Sequence, residues 1–403
     1  MSMLTRSAGA VALSAMGGIA AAACGFETDT EIKMLSAGFP AWQAVTAEMA
    51  ECGNVQAELD QEFREKQPAA FAAEPSLYQL GGVSNGTIVP LLNQGTIRPL
   101  DDLVAAHGGH LDGNQLVRIG GEVMAVAMMI NTQHLMYRSD IFADLGLDVP
   151  TTHAEMLDAA ARIEEAGVVE YPLGGAYKTG WNLALEFVNA FIGEGGAFFD
   201  DQNRPTIAND TGVAALEILA DRTAFMDPEY LTADATYVQQ QFQQGKIAMA
   251  NLWASRADAM NDPDESEVVG KVAMAAAPMG STHPATTLWW DGIVVARNIP
   301  DAEAKAAFRV ALEGIDSDMV AENNDTAVWL IDGYTPGPMA EGVAATAEAG
   351  ARPYPSSARM GLMHSALGTG VADFLTGRKD AQTTLADIEA AYMTAAREGG
   401  LVD

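Results

Sequence analysis

Residues 31–59 read "EIKMLSAGFPAWQAVTAEMAECGNVQAEL". The stretch opens on a short apolar run, passes a glycine and a proline, and continues as a segment with Trp42, Val45, Met49 and Cys52 on one helical face. It closes on a second short run, "NVQAEL", residues 54–59. Strand, helix and strand in that order form a unit whose two strands run parallel. This unit sets the fold class as α/β.

The same texture continues outward. "LYQLGGV" (77–83) reads as a third strand, and "TIVPLLNQGTIRPLDDLV" (87–104) as a short helix, a glycine stop and a turn. Over 118–142, "RIGGEVMAVAMMINTQHLMYRSDIF" reads as strands crossing from one unit to another. Thr152 and Glu155 form a T-x-x-E capping box before the helix "HAEMLDAAARIEEAG". Helices are expected at 181–193, 211–225, 236–244 and 301–314. Strands are expected in "GKIAMANLW", "KVAMAAAPM" and "LWWDGIVVARN".

The first residues differ from the rest. "MSMLTRSAGAVALSAMGGIAAAAC" has one charge, Arg6, then an Ala/Gly-rich apolar run and small residues. That is the plan of an export signal, residues 1–23, removed from the working protein. The 403-residue chain carries 22 Lys and Arg against 54 Asp and Glu, a formal charge of −32. Such a surface repels phosphate backbones, so nucleic acid is excluded as a partner.

Two cysteines are present, Cys24 and Cys52. An exported chain sits where disulfides persist. Cys24 precedes the first strand and Cys52 ends the helix that follows it, and both points lie at the same edge of a β–α unit. A Cys24–Cys52 bridge is therefore expected. Lipidation of Cys24 is the rival reading, and Ala21 stands where a lipoprotein signal usually carries leucine.

One enzyme motif fits. "GVSNG" (82–86) matches the G-x-S-x-G nucleophile elbow after a strand, and Ser84, Asp332 and His364 have the chain order of an esterase triad. Few strands precede it and no HGGG-like segment accompanies it, so a glycine-rich turn at a strand end is the favoured reading. His107 and His110 lie in a polar turn and read as solvated loop. No metal site or cofactor is expected.

Five of the six tryptophans stand near expected strand–helix boundaries, where open α/β sheets bind ligands. An indole offers a flat apolar surface to the C–H face of a sugar ring. In "TLWWDG" (287–292), residues two apart share a strand face, so Trp289 and Asp291 are expected to face a ligand together and Trp290 to face packing.

"FQQGKIAMANLWASRADAM" (242–260), "LNQGTIRPLDDLV" (92–104) and "LMYRSDIFADLGLDVPTTHAEMLDAAARI" (135–163) resemble segments of the extracellular sugar-binding proteins of bacterial ABC transporters, of the glucose and maltose type. His153 stands where those proteins usually carry tryptophan. The resemblance implies two α/β lobes, each a mostly parallel sheet flanked by helices, joined by hinge strands and closing on a sugar. It places one lobe at 24–137 plus 286–334 and the other at 138–285 plus 335–403. The expected ligand-binding residues are Trp42, Asn85, Trp181, Trp253, Trp289, Asp291 and Arg359. It further implies a periplasmic monomer that delivers a carbohydrate to membrane permease subunits and catalyses nothing. Relatives of the glucose type carry polar residues in the strand matching "VAMMIN". Here Met128, Met129 and Ile130 are apolar, which argues against glucose and leaves disaccharides, glucosides and polyols. A binding protein for a non-sugar solute is the remaining alternative.

Overall fold

The computed structural model describes residues 24–26, 28–337 and 340–402; the expected export signal lies outside them. Eleven strands are present among these residues. They are β1 (Thr28–Ser36), β2 (Gly53–Leu59), β3 (Leu80–Ser84), β4 (Leu116–Ile119), β5 (Glu122–Arg138) and β6 (Tyr171–Gly174). The remainder are β7 (Ile247–Trp253), β8 (Val272–Ala275), β9 (Thr287–Val295), β10 (Val328–Trp329) and β11 (Arg352–Pro353). The main path runs β2–β1–β3–β9–β5–β7–β6.

The pairing is parallel at both ends of this path, β2 with β1, β1 with β3, and β6 with β7. It is antiparallel in the middle, where β9 lies between β3 and β5 and where β5 meets β7 and β8. The sheet is therefore mixed, because the central strands return from the other half of the chain instead of following a local crossover helix.

Two lobes result, each with its own apolar core. The first packs β1, β3 and the start of β5 against the helices Pro40–Ala50 and Asp301–Glu313, with Ile32, Leu35, Val45, Val294 and Phe308 all buried. The second is built on the helices Trp181–Gly193 and Ala358–Leu375, with Leu183, Phe187, Phe191, Met363 and Leu367 buried. At Thr152 the hydroxyl caps the N–H of Glu155 at 3.2 Å, as the capping box requires. The Glu155 carboxylate turns instead to the N–H and hydroxyl of Thr151, which offers two donors where Thr152 would offer one.

The 17-residue β5 belongs to both lobes. Its first part supplies Val123, Val126 and Met129 to the first core, and Leu135 enters the second. Ala127 lies opposite Gly292 but Met129 lies opposite Asp291, so Met128 is an inserted residue. A bulge of this kind bends the strand and increases its twist, and it falls where the chain passes between lobes. Gly292 fixes the crossing: a Cβ there would meet the Val126 carbonyl oxygen at 2.4 Å, which is backbone and cannot yield.

Cys24 and Cys52 form the disulfide, with Cα atoms 5.1 Å apart. The Thr28 N–H donates to the Cys52 carbonyl at 3.0 Å, so strand start and helix end do share an edge. The bridge closes a loop across a sequence separation of 28 residues. Chain entropy then assigns it about 3–4 kcal/mol. Chemical denaturation of a Cys24→Ser/Cys52→Ser chain should show a loss of that order with an unchanged far-ultraviolet spectrum; an equal midpoint would remove the bridge from the stability of the first lobe.

Candidate ligand-binding site

The carboxyl ends of the parallel strands converge on one cavity between the lobes. From the first lobe come Ala37 after β1, Gln61 and Arg64 after β2, and Ser84 at the end of β3. From the second come Lys178 and Trp181 after β6, and Trp253 at the end of β7. The crossing strands supply Asn131, Trp289 and Asp291 to the floor. The cavity volume is about 170 Å³. That is room for roughly six waters at about 30 Å³ each.

Its apolar wall is a cluster of indoles. The Trp289 ring centroid lies 5.7 Å from those of both Trp181 and Trp253, each in an edge-to-face arrangement, and 4.3 Å from Tyr354. Trp289 is only 5% exposed. A buried polar chain holds it: its Nε1 donates to Thr287 Oγ1 at 2.8 Å, and that hydroxyl donates to Asn189 Oδ1 at 2.8 Å. Asn189 Nδ2 donates to Gln133 Oε1 at 2.7 Å, and Gln133 Nε2 to Glu186 Oε1 at 3.0 Å. Trp290 lies on the opposite side of β9 and packs against the first-lobe core. Opposite the indole cluster, the Arg64 guanidinium crosses from the first lobe and lies 4.3 Å over the Trp181 ring of the second.

The charged groups divide into satisfied and unsatisfied. Lys178 Nζ lies 3.4 Å from Asp234, which also caps the helix Ala235–Gln243. Arg256 donates to Gln239 at 3.0 Å. Asp291 is half-buried and has neither a hydrogen bond nor an ion pair among the described residues, and the buried Nε of Arg64 has no acceptor. Burial pushes the Asp291 carboxyl up from 3.8 to about 7, against the lowering influence of Arg64. Burial likewise lowers the Arg64 guanidinium, against Glu65 and Asp291.

Of the residues expected at the site, Trp181, Trp253, Trp289 and Asp291 line the cavity. Trp42, Asn85 and Arg359 do not. Trp42 is 1% exposed within the first core, because its helical face is the one that packs on the sheet. Asn85 is buried behind the floor, its Nδ2 donating to the Leu288 carbonyl at 3.3 Å. Arg359 sits in the first turn of Ala358–Leu375, near enough to Tyr392 to act on its hydroxyl. Sequence reading missed Arg64, Lys178, Arg256 and Asn131. Only Asn131 had a local signal, as the polar residue that ends the apolar "VAMMI".

The esterase constellation is not assembled. Ser84 Oγ is 3.3 Å from Thr87 Oγ1, while the ring nitrogens of His364 meet Tyr354 Oη at 2.8 Å and the Trp181 carbonyl at 3.0 Å. Asp332 is exposed. The glycines of "GVSNG" have packing reasons: a Cβ on Gly82 would collide with Ser36 and Trp42, and one on Gly86 would press on the Trp289 ring at 3.2 Å.

Residues 35–313 match the family described as bacterial extracellular solute-binding protein. The chain belongs to that family. It is 26% identical over 267 residues to a probable ABC transporter-binding protein of Deinococcus radiodurans, covering 62% of this chain and 61% of the relative's length. It therefore spans less than two thirds of that relative. In fold it is similar to a solute-binding protein of Agrobacterium radiobacter solved with ribitol, at TM-score 0.81 and 21% identity, covering 92% of this chain and 100% of that one. It is also similar to one from Agrobacterium vitis solved with D-mannitol, at TM-score 0.76 and 20% identity, covering 92% and 99%. The two-lobed architecture is shared.

The carboxyls of Asp291 and Glu186 both stand near 7, chiefly through burial, above their ordinary values of 3.8 and 4.5. The folded chain therefore holds more protons than the unfolded chain between about pH 4 and 7, and each group subtracts stability as pH rises through that window. Asp291→Asn should gain melting temperature over the native protein, and the gain should widen from pH 4.5 to pH 8. A gain constant across that range would mean that Asp291 titrates as an ordinary carboxylate.

Proposed function

We propose that this protein captures a carbohydrate in the cleft between its lobes and delivers it to the membrane permease subunits of an ABC importer. It works in the periplasm, as a monomer, and acts by binding without catalysis. The observation that carries this reading is the pairing, in one cavity, of an indole wall with a half-buried carboxylate that has no protein donor. Hydroxyl groups donate to such a carboxylate, and the C–H faces of the same molecule pack on indole. The room for roughly six waters suits a monosaccharide or a polyol and disfavours a long oligosaccharide. The relatives solved with ribitol and D-mannitol share the fold and support this class. Engagement of Ser84 by Thr87 supports a binder over an esterase.

A thermal-shift panel of pentitols, hexitols, monosaccharides and glucosides tests the class, since ligand at 100 times its Kd raises stability by about 2.7 kcal/mol. For a ligand so found, Asp291→Ala should weaken binding at least about tenfold in calorimetric titration, through loss of charge-assisted hydrogen bonds. Unchanged affinity would remove Asp291 from the site. The same ligand should compact the protein in small-angle scattering, because both lobes contribute contacts. An unchanged radius of gyration would argue against closure.

A further inference from the structure

Three features of the cavity bear on the charge of its ligand. First, Arg64 is a guanidinium with no carboxylate, carbonyl or amide acceptor among the described residues; its recorded neighbours are the faces of Trp181 and Phe63. Second, Arg64, Lys178 and Arg256 give the cavity three cationic side chains against two acidic ones, Asp234 and Asp291, in a chain with 22 cations and 54 acids. Third, three helices start on the rim without a side-chain cap: Pro40–Ala50, Phe63–Ala72 and Trp181–Gly193. A fourth helix start on the cavity, Ala235–Gln243, is capped by Asp234. A helix start carries partial positive charge.

We propose that the cleft selects a carbohydrate that bears a carboxylate, with the acid group seated on Arg64 and the hydroxylated chain reaching Asp291. This rests on the carbohydrate reading above and narrows it. A guanidinium presents parallel N–H donors that match the two oxygens of a carboxylate, whereas a hydroxyl offers one oxygen at a time. The two protein charges are too far apart to form an ion pair, so a ligand with an acceptor end and a donor end can satisfy both at once. The positive helix starts add to the attraction, and Asp291 meets the hydroxyl end, where an anion would be repelled. A carboxylate-bearing chain and a ring acid share this chemistry.

Matched pairs separate the outcomes. Calorimetric titration is carried out with D-gluconate against D-glucitol for the open-chain form, and with D-glucuronate against D-glucose for the ring form. In at least one pair the acid should bind about tenfold tighter than its neutral partner, with an affinity that falls as salt rises. Arg64→Gln should bring that ratio to about one, and Arg64→Lys should restore part of it; melting curves confirm that both variants fold. A neutral partner that binds as tightly as its acid, or a preference that survives Arg64→Gln, would overturn the proposal and leave the carbohydrate reading intact. Failure of all four compounds to bind, alongside hits for uncharged sugars in the thermal-shift panel, would also overturn it. Failure of every carbohydrate in both experiments would overturn the broader reading as well.

Discussion

The position of every group in the cleft depends on one register. β9 lies between β3 and β5, and a single alignment puts Asp291 opposite both Ser84 and Met129, and Trp289 opposite Asn131. A slip of one residue would exchange the two faces of β9 and send Trp290 to the cavity. Two local devices oppose the slip. Only a glycine can occupy position 292, where Val126 approaches too closely for any side chain. The bulge at Met128 absorbs the extra residue of β5, so that the strand remains in register on the first-lobe side and still reaches β7 and β8 in the second.

Local patterning made the outer parts of the fold legible, because a β–α–β unit is encoded within a few dozen residues. The central antiparallel pairing was not legible in the same way. β9 starts at Thr287 and pairs with β3, which ends at Ser84, and no periodicity within either segment names the other. Strand-end position identified Trp181, Trp253 and Trp289 as cleft residues. It failed for Trp42, whose spacing with Val45 and Met49 was itself the mark of a helix face turned to the core. Phe39, one residue before that helix, lines the cavity in its place. Arg64 was illegible for another reason: "EFREK" reads as an ordinary charged helix start, and what distinguishes the guanidinium is the absence of a nearby acceptor in space.

The cleft gathers unpartnered polar groups from both lobes and from the strand between them. Away from the cleft, Asp373 is paired with Arg378 and Lys379, and Arg138 is paired with Asp140. At the cleft, three helix starts lack caps, one carboxylate lacks a donor and one guanidinium lacks an acceptor. A missing cap costs about 1 kcal/mol, and a buried unpaired polar group roughly 1–3 kcal/mol. These costs sit on rims that belong to different lobes: Arg64 on the first, Trp181 and its helix on the second, and Asp291 on the crossing strand between them. A solute that satisfies all three can do so only while the lobes are together. Its binding energy therefore falls unequally on the open and closed arrangements, and that inequality is the one quantity by which a ligand can drive closure. The polar chain from Glu186 to Trp289 has the complementary role. It is buried within the second lobe and satisfied at each step, so it holds the indole wall at a fixed angle whether or not a solute is present.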